Sequence, residues 1–207
     1  MTVATRRTQD QRSAETRRLL LSATVKMLME VGYANTSTAG IAKRAGVSRG
    51  AQTHHYPSKM ALIVAATEEM FGNFASRLEV LAADLNNGDL DYDKFFEAVW
   101  EEVLHGDWFY SSLEIIVAAR GDTELREQLS PLIIDLHQRF ERIWTETFVA
   151  LNPDVITSKV ALNLALNVFR GMAVQAVLRR DEAYFREMLM ALKTMLASHV
   201  QPAKSAQ

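Results

Sequence analysis

The sequence of 207 residues contains no cysteine, only four prolines and no long uninterrupted apolar run. Without cysteine the chain has no disulfide bond, no thiolate metal site and no thiol nucleophile, and a reducing cytosol suits it. The most apolar late segment, residues 160–178, is interrupted by asparagine, arginine and glutamine, which argues against a membrane span. The polar and basic N-terminus lacks an apolar core, so we expect no signal peptide and a cytoplasmic protein.

The net charge of −2 conceals an uneven distribution of charge along the chain. Residues 1–60 hold ten Lys or Arg against three acids, a net +7, whereas the remainder holds thirteen against twenty-two, a net −9. Such a basic head can neutralise DNA phosphates locally, whatever the sign of the whole molecule. For Arg6 and Arg7 taken alone, a solvated tail is the simpler interpretation.

Apolar residues recur at helical spacing throughout, and no alternating runs lie between paired turn signals. We therefore predict an all-α fold in which a sheet has no obvious place. The first helix is predicted over residues 13–30, with Gly32 as its C-terminal stop. The later helices are predicted over residues 38–45, 48–55, 58–85, 95–104, 108–119, 123–129, 131–150, 157–180 and 181–200.

The most informative segment is residues 36–59, which reads TSTAGIAKRAGVSRGAQTHHYPSK. Two short helical patterns are separated by the turn Ala-Gly-Val-Ser, and Ser48 and Ser58 are suited to cap the helices that follow them. This arrangement is typical of a helix-turn-helix, whose second helix enters a DNA major groove. An incidental helical hairpin is the alternative, and it leaves the caps and the basic setting to coincidence.

The start of the second helix carries the chemistry that such a recognition helix needs. Ser48 caps it, Arg49 follows on the first turn, and Gly50 has no side chain to obstruct DNA. Arg49 is suited both to guanine and to phosphate, and the sequence does not choose between them. Further candidate contacts to base edges or flanking phosphates are Thr36, Ser37, Thr53, His54, Tyr56 and Lys59.

The pattern Thr-x4-Ile-Ala-x2-Ala-Gly-Val-Ser-x-Gly-x4-His-Tyr-x-Ser-Lys follows a helix that ends in Glu-Val-Gly-Tyr. It closely resembles the N-terminal domain of TetR-family transcriptional regulators over residues 17–63. The resemblance implies a three-helix helix-turn-helix domain over residues 1–60, with DNA contacts at the positions above and at His55. It also implies a helical effector-binding and dimerisation domain over residues 61–207.

What the resemblance implies for function is a homodimer formed by the last two long helices, bound to a partly palindromic operator. We expect a repressor that a small apolar or amphipathic effector releases from DNA. Two departures from the family pattern stand out: Gly40 where an acid is usual, and Gln52-Thr53 where Leu-Tyr is usual. Gly40 weakens its helix by up to about 1 kcal/mol relative to alanine.

The effector site is predicted from polar and aromatic residues of the C-terminal region. Asn163, Asn167 and Arg170 share one face of an otherwise apolar helix, where polar groups need partners. Those hydrogen-bonding groups could belong to a ligand, to the second subunit of a dimer or to solvent, and the sequence leaves all three possibilities open. Trp100, Trp108, Leu113 and Trp144 are candidates for the wall of an apolar cavity, with ordinary core packing as the alternative for each.

Other chemistries are not indicated. The acidic run 89–93 has lysine at the sixth and tryptophan at the twelfth position of a calcium loop, so a turn and helix cap is predicted instead. His54 and His55 are adjacent on a helix and point about 100° apart, which prevents joint chelation of a metal. No catalytic triad or phosphate loop is present. We predict no metal, no cofactor and no catalytic residue; the main alternative function is a DNA-binding protein of this fold without an effector.

Overall fold

The computed structural model describes residues 8–104 and 107–203, with side chains for residues 8–102 and 109–203. Apart from turns and loops, the described part is helical except for one small two-stranded sheet, which confirms the all-α prediction. The helices are α1 Gln9–Asn35, α2 Thr38–Ala45, α3 Arg49–His55, α4 Lys59–Asn87, α5 Tyr92–Ala98, α6 Asp107–Gly121, α7 Thr123–Thr147, α8 Ser158–Ala176 and α9 Glu182–Ala197. A π-helical segment, Val99–Leu104, follows α5.

The prediction that the sequence leaves no place for a sheet is wrong at one point. Strand β1, Phe148–Ala150, pairs antiparallel with strand β2, Val200–Pro202, so that Phe148 lies opposite Pro202. Helix was predicted through residue 150 and through residue 200. The pairing joins segments about fifty residues apart, and a pattern search restricted to neighbouring residues does not detect it.

Two predicted helix boundaries also need correction. The first helix begins at Gln9, before the predicted start at residue 13, and the backbone is non-helical at the predicted stop, Gly32, whose φ is +73°, after which a short helical stretch ends at Asn35. Two helices were predicted on either side of Pro131, but α7 passes through it. A proline costs about 3 kcal/mol inside a helix, and the buried apolar residues on both sides of it, Leu129 and Leu136, offset that cost.

The described residues divide into two compact units. The first combines α1 to α3 and the start of α4, up to Phe71, with α6 and the start of α7, up to Leu132. The second contains the rest of α4 and α7 together with α5, the π-helical segment, the two strands, α8 and α9. The functional boundary predicted at residue 60 stays a prediction, because the compact units divide within α4 and α7.

The core of the helix-turn-helix is built from one apolar residue or pair from each helix. Leu20 and Ala23 of α1, Ile41 of α2 and Leu62 of α4 form a buried cluster, and Tyr56 is packed against it at the end of α3. Each burial removes apolar surface from water and stabilises the unit by roughly 1.5–3 kcal/mol for a fully buried large side chain. The short helices α2 and α3 are therefore held by α1 and α4 rather than by their own propensity.

The second unit has an aromatic core. Phe96 contacts Trp144, Phe148 and Phe169 with ring centroids 6.0–6.3 Å apart, and Trp100 stacks on Phe169 at 6.4 Å. Such aromatic pairs add to the free energy gained from burial alone. Within the described residues, no helix combines the length and apolarity that a bilayer span needs.

Candidate nucleic-acid interface

Serine residues define where the helices of the helix-turn-helix begin. The Oγ atoms of Ser37, Ser48 and Ser58 accept hydrogen bonds from backbone N–H groups three residues later, at 3.1, 3.1 and 3.0 Å. Each bond satisfies an N–H that the first helical turn leaves unpaired and contributes about 1 kcal/mol. The predicted caps at Ser48 and Ser58 are confirmed, and within residues 36–38 the capping residue is Ser37.

The turn between α2 and α3 depends on Gly46. Its φ of +67° lies in the left-handed region, and no atom of the described residues lies within 4 Å of the place where a Cβ would stand. The restriction is therefore one of backbone conformation rather than space. The N–H of Val47 then donates to the Ala42 carbonyl at 3.1 Å, which closes the end of α2.

The predicted contact residues of α3 lie together on its outer side. Arg49, Gly50, Thr53 and His54 are exposed and occupy positions i, i+1, i+4 and i+5 of one helix. Arg49 and Thr53, and likewise Gly50 and His54, are four residues apart and are therefore neighbours on the helix surface. Ser37 and Ser48 are also exposed at the two helix starts, so the helix-turn-helix presents a continuous polar surface.

Two of the predicted contacts are not presented in this way. Thr36 is 2% exposed, and its hydroxyl donates to the Gly32 carbonyl at 2.8 Å. Lys59 is half-buried, and its Nζ donates to the Tyr33 carbonyl oxygen at 2.5 Å. The polar atoms of both side chains are therefore hydrogen-bonded within the protein, to backbone carbonyls of α1.

The end of α3 is partly buried and lies beside a cation of α1. Burial is the main cause that lowers the pKa of His55, and the charges of His54 and Arg17 lower it further. Burial likewise raises the pKa of Tyr56, which Arg17 opposes. The exposed Arg17 therefore lies close enough to act on the end of α3, a proximity that the sequence pattern did not reveal.

The departures from the family pattern have structural consequences. Gln52 is 2% exposed, and its Nε2 donates to the Tyr56 carbonyl oxygen at 2.6 Å. The buried amide thus closes the last turn of α3 instead of contacting DNA. Thr53, by contrast, is exposed. A methyl group at Gly40 would lie 2.8 Å from Cε of Met27, so the glycine permits close approach of α2 to α1.

Part of the positive charge of this region is paired within it. Arg44 forms a bidentate ion pair with Glu30, at 2.5 Å for each bond, and Arg18 pairs with Glu15 at 2.8 Å. In residues 8–102 and 109–203, Lys43 and Arg49 have no ion-pair partner. Arg6 and Arg7 lie outside the described residues.

The sequence did not indicate the contacts of Tyr33. Its N–H donates to Glu114 Oε2 at 3.4 Å and its hydroxyl to Asp122 Oδ2 at 3.3 Å. Burial raises the pKa of Tyr33, and the charge of Asp122 raises it further. The Gly-Tyr dipeptide near the end of α1 was the only local signal, and nothing in it points to residues some eighty positions away.

Two of the three tryptophans predicted to line an effector cavity, Trp100 and Trp144, are packed into the aromatic core. Trp100 is 6% exposed and stacks on Phe169 and on Phe185, at 6.4 and 5.7 Å. Trp144 is equally buried and lies 4.3 Å from Phe148, centroid to centroid. Its indole N–H is buried and has no hydrogen-bond partner among the described residues.

The polar candidates of α8 have partners inside the second unit. The side-chain amides of Asn163 and Asn167 donate to backbone carbonyls one turn earlier, at 2.9 Å each. Arg170 donates to His137 Nε2 at 3.2 Å, and burial lowers the pKa of both groups. Leu113 is half-buried in the first unit, and the side chain of Trp108 lies outside the described residues.

A separate open cleft of about 1510 Å³ runs along α9 in the second unit. Its lining mixes apolar with charged side chains of both signs, and of the predicted effector residues it includes Trp100. Representative lining residues are Asp93, Glu97, Trp100, Arg180, Phe185 and Arg186. The mixture of charges does not favour a ligand of one sign.

The helix-turn-helix segment matches the family model of bacterial regulatory proteins of the TetR family over residues 20–66. The HTH-type transcriptional regulator CymR of Pseudomonas putida is 33% identical over 180 residues, which cover 87% of this chain and 88% of that protein. An uncharacterized HTH-type transcriptional regulator of Mycobacterium tuberculosis is 32% identical over 179 residues, with 85% and 90% covered.

Solved structures show the same fold. A TetR-family member from Streptomyces coelicolor superposes with a TM-score of 0.63 at 22% identity and covers 86% of this chain and 98% of that one. The multidrug binding protein EbrR, crystallised in complex with imidazole, gives 0.56 at 24% identity, with 85% and 93% covered. Because its DNA-binding helix-turn-helix matches the family model and its sequence is 33% identical to a curated regulator over most of its length, the chain belongs to the TetR family of bacterial transcriptional regulators.

Proposed function

We propose that this protein is a ligand-responsive repressor that acts in the cytoplasm as a homodimer on a palindromic operator. The observation that carries the proposal is the exposed face of α3, where Arg49, Thr53 and His54 surround a glycine at position 50. A helix of this kind, held by an apolar cluster within a basic N-terminal region, is suited to a major groove.

Within this interface, Arg49 is the proposed principal contact, to a guanine or a phosphate. Ser37, Ser48 and Tyr56 are proposed to contact flanking phosphates, and Thr53 and His54 to contact base edges. His55 is half-buried and is proposed to contact DNA with its exposed edge. The contacts of Thr36 and Lys59 within the protein favour structural roles for those two side chains.

The homodimer is supported by apolar residues that one copy leaves exposed. On α8, Val160, Leu164 and Val174 are 48, 51 and 45% exposed and lie on one stripe. On α9, Met190 and Met195 are 57 and 66% exposed. A second copy related by a twofold axis would bury the same surface on both chains.

The dimer is tested with Leu164→Glu, analysed by sedimentation equilibrium beside Ile116→Glu. Ile116 is 52% exposed on α6, outside the α8 stripe, so its variant serves as the matched control. We expect Leu164→Glu to be a folded monomer and Ile116→Glu to remain a dimer. Dimers of equal affinity in both variants would exclude this interface.

The proposed response to an effector is a shift of population between two conformations. A small apolar or amphipathic compound bound in the C-terminal region would move α4, which contributes residues to both units. The spacing of the two recognition helices would then no longer match half-sites about one DNA turn apart. The multidrug binding protein EbrR shares this fold, which makes drug-like compounds a reasonable first library.

DNA binding is tested with Arg49→Ala, which removes an exposed side chain without a partner in the described part of the chain. A duplex is first selected from a random pool with the wild-type protein. We expect the variant to remain a folded dimer and to lose about fivefold or more in affinity, since a bidentate arginine contact contributes about 1–3 kcal/mol. Wild-type affinity at moderate salt would contradict the proposal.

The second candidate is a DNA-binding regulator of the same fold without a small-molecule effector. The observation in its favour is that Trp100 and Trp144 are packed in the core and that the polar groups of α8 are bonded within the unit. A thermal-shift screen separates the two candidates, because a ligand that binds only the folded protein stabilises it by RT ln(1 + [L]/Kd) and so raises the melting temperature. Repression without any stabilising compound class would favour the second candidate.

A further inference from the structure

Lys59, the first residue of α4, is held by the end of α1. Its Nζ donates to the Tyr33 carbonyl oxygen at 2.5 Å and lies 4.1 Å from the centroid of the Tyr33 ring. The ammonium therefore makes both a charge-assisted hydrogen bond and a cation–π contact with one residue. Burial lowers the pKa of Lys59, against the opposing charge of Asp122.

Tyr33 is in turn held by residues of α6 and of the α6–α7 junction. Its hydroxyl donates to Asp122 Oδ2 at 3.3 Å, and its N–H donates to Glu114 Oε2 at 3.4 Å. Asp122 also caps the N-terminus of α7, because its Oδ1 accepts a hydrogen bond from the N–H of Leu125 at 3.0 Å. A single carboxylate thus fixes the start of α7 and the ring that carries Lys59.

The backbone at Gly32 makes these contacts possible. Its φ of +73° breaks α1 one residue before Tyr33, and a Cβ there would lie 2.9 Å from Glu114 Oε2. The break turns the Tyr33 carbonyl toward Lys59 and its hydroxyl toward Asp122. Any larger residue would have to displace the Glu114 carboxylate as well as adopt a strained conformation.

We propose that Asp122 sets the position of the first turn of α4 through Tyr33 and Lys59, and that Lys59 is a positioning residue rather than a phosphate contact. Only Tyr56, Pro57 and Ser58 separate Lys59 from the end of α3 at His55. A displacement of the α6–α7 junction is therefore transmitted to the recognition helix over three residues. This inference rests on the proposed DNA-binding role of α3 and assigns it a means of control.

The role of Lys59 is tested by the salt dependence of binding to the selected duplex. A lost phosphate contact reduces the slope of log K against log[salt] by about 0.9. We expect Lys59→Gln to weaken binding at every salt concentration with the slope unchanged. A slope reduced by that amount would identify Lys59 as a phosphate contact and overturn the assignment.

The path from Asp122 is tested with Tyr33→Phe and Asp122→Asn. Phenylalanine keeps the ring and the carbonyl that hold Lys59 and removes the hydrogen bond to residue 122. Asparagine still caps α7 but removes the carboxylate charge, so that at most a neutral hydrogen bond to the Tyr33 hydroxyl remains. We expect each to lower DNA affinity about threefold or more, and the double variant to lose no more than one single variant. Tyr184→Phe, which removes the bond from Tyr184 to Gln175 in the second unit, should leave the affinity unchanged.

Unfolding by urea is measured for the wild-type protein, the two single variants at residues 33 and 122, and the double variant. Wild-type affinity in both Tyr33→Phe and Asp122→Asn, or additive losses in the double variant, would overturn the inference. An affinity that falls only in proportion to the folded fraction would do so too, because it would reflect stability alone. If the wild-type protein selected no duplex from the random pool, the proposed DNA-binding function itself would be contradicted. That result concerns the wild-type protein alone and is therefore distinct from any result obtained with the variants.

Discussion

Gly40 of α2 lies so close to Met27 of α1 that a methyl group on the glycine would come within 2.8 Å of Met27 Cε. Met27 is itself packed against the buried cluster that holds the helix-turn-helix together. The residue that seemed only to weaken α2 therefore has a packing role. Its low helix propensity accompanies close contact between two helices.

The contact predicts that the effect of Gly40→Ala on stability depends on Met27. In the wild-type background, the gain of up to about 1 kcal/mol from helix propensity is opposed by displacement of the methionine, and we expect little net change. In a Met27→Ala background the obstruction is absent, and the same substitution should stabilise by about 1 kcal/mol. The contact of residue 40 with Ser37 Oγ, at 3.1 Å, is common to both backgrounds.

Urea unfolding of the four proteins in this double-mutant cycle measures the difference directly. Equal increments from Gly40→Ala in both backgrounds would show that Met27 does not limit residue 40. The Met27→Ala variant alone should lose stability, because it removes a side chain packed on the cluster.

The second prediction concerns Gln52 of α3. Gln52→Ala should cost about 2–4 kcal/mol, because it leaves a cavity and an unpaired Tyr56 carbonyl. Gln52→Leu, the usual residue of the family, refills the volume but leaves the same carbonyl unpaired, so it should cost about 1–3 kcal/mol and less than the alanine variant. Chemical denaturation distinguishes the two variants, and an equal cost for both would mean that the hydrogen bond, at 2.6 Å, matters more than the volume.

What the sequence reveals about this protein is set by the distance over which each feature forms. The serine caps and the turn at Gly46 involve atoms within five residues, so residue types alone identify them. The bond from Tyr33 to Asp122 joins residues 89 positions apart, and the pairing of Phe148 with Pro202 is similarly remote. Such contacts are decided by tertiary packing, for which a single sequence carries no local sign.

The effector residues were hard to predict for a related reason. An aromatic residue such as Trp144 has the same pattern in sequence whether it lines a cavity or fills a core. Likewise, the asparagines at 163 and 167 are polar residues on an otherwise apolar helix and so suggest a ligand contact. In the structure, each side-chain amide donates a hydrogen bond to a backbone carbonyl of the same helix. Residue type specifies what a side chain can do, whereas its neighbours determine what it does.

Gly50 offers a test of how closely DNA approaches α3. The only atom near the position of a Cβ there is Ser48 Oγ at 4.0 Å. Nothing within the described chain requires glycine, so Gly50→Ala should keep or raise stability by up to about 1 kcal/mol. We nevertheless expect DNA affinity to fall, because the methyl group would project from the exposed face that meets the groove.

The matched control is Gly72→Ala in α4, where a Cβ also meets no atom within 4 Å. It should gain similar stability and keep its affinity for the selected duplex in a fluorescence-anisotropy titration. If both alanine variants bound DNA like the wild type, the backbone of α3 would not be in close contact with DNA at residue 50.

His137 predicts a pH dependence of folding in the second unit. Burial lowers its pKa below the usual 6.5, the charge of Arg170 lowers it further, and Glu141 opposes both. The unfolded chain therefore binds more protons than the folded protein just below pH 6.5, and stability is lost as the pH falls through that window. His137→Gln retains an acceptor for Arg170 and should flatten this part of the stability curve.

The measurement is urea unfolding between about pH 5 and pH 7.5, with the difference between variant and wild type isolating residue 137 from the other histidines. Arg170→Gln refines the test, because burial rather than the neighbouring charge is the larger cause of the low pKa. That variant should keep most of the pH dependence. Parallel curves for His137→Gln and wild type would contradict the assignment, since they would require His137 to bind protons equally in the folded and unfolded states.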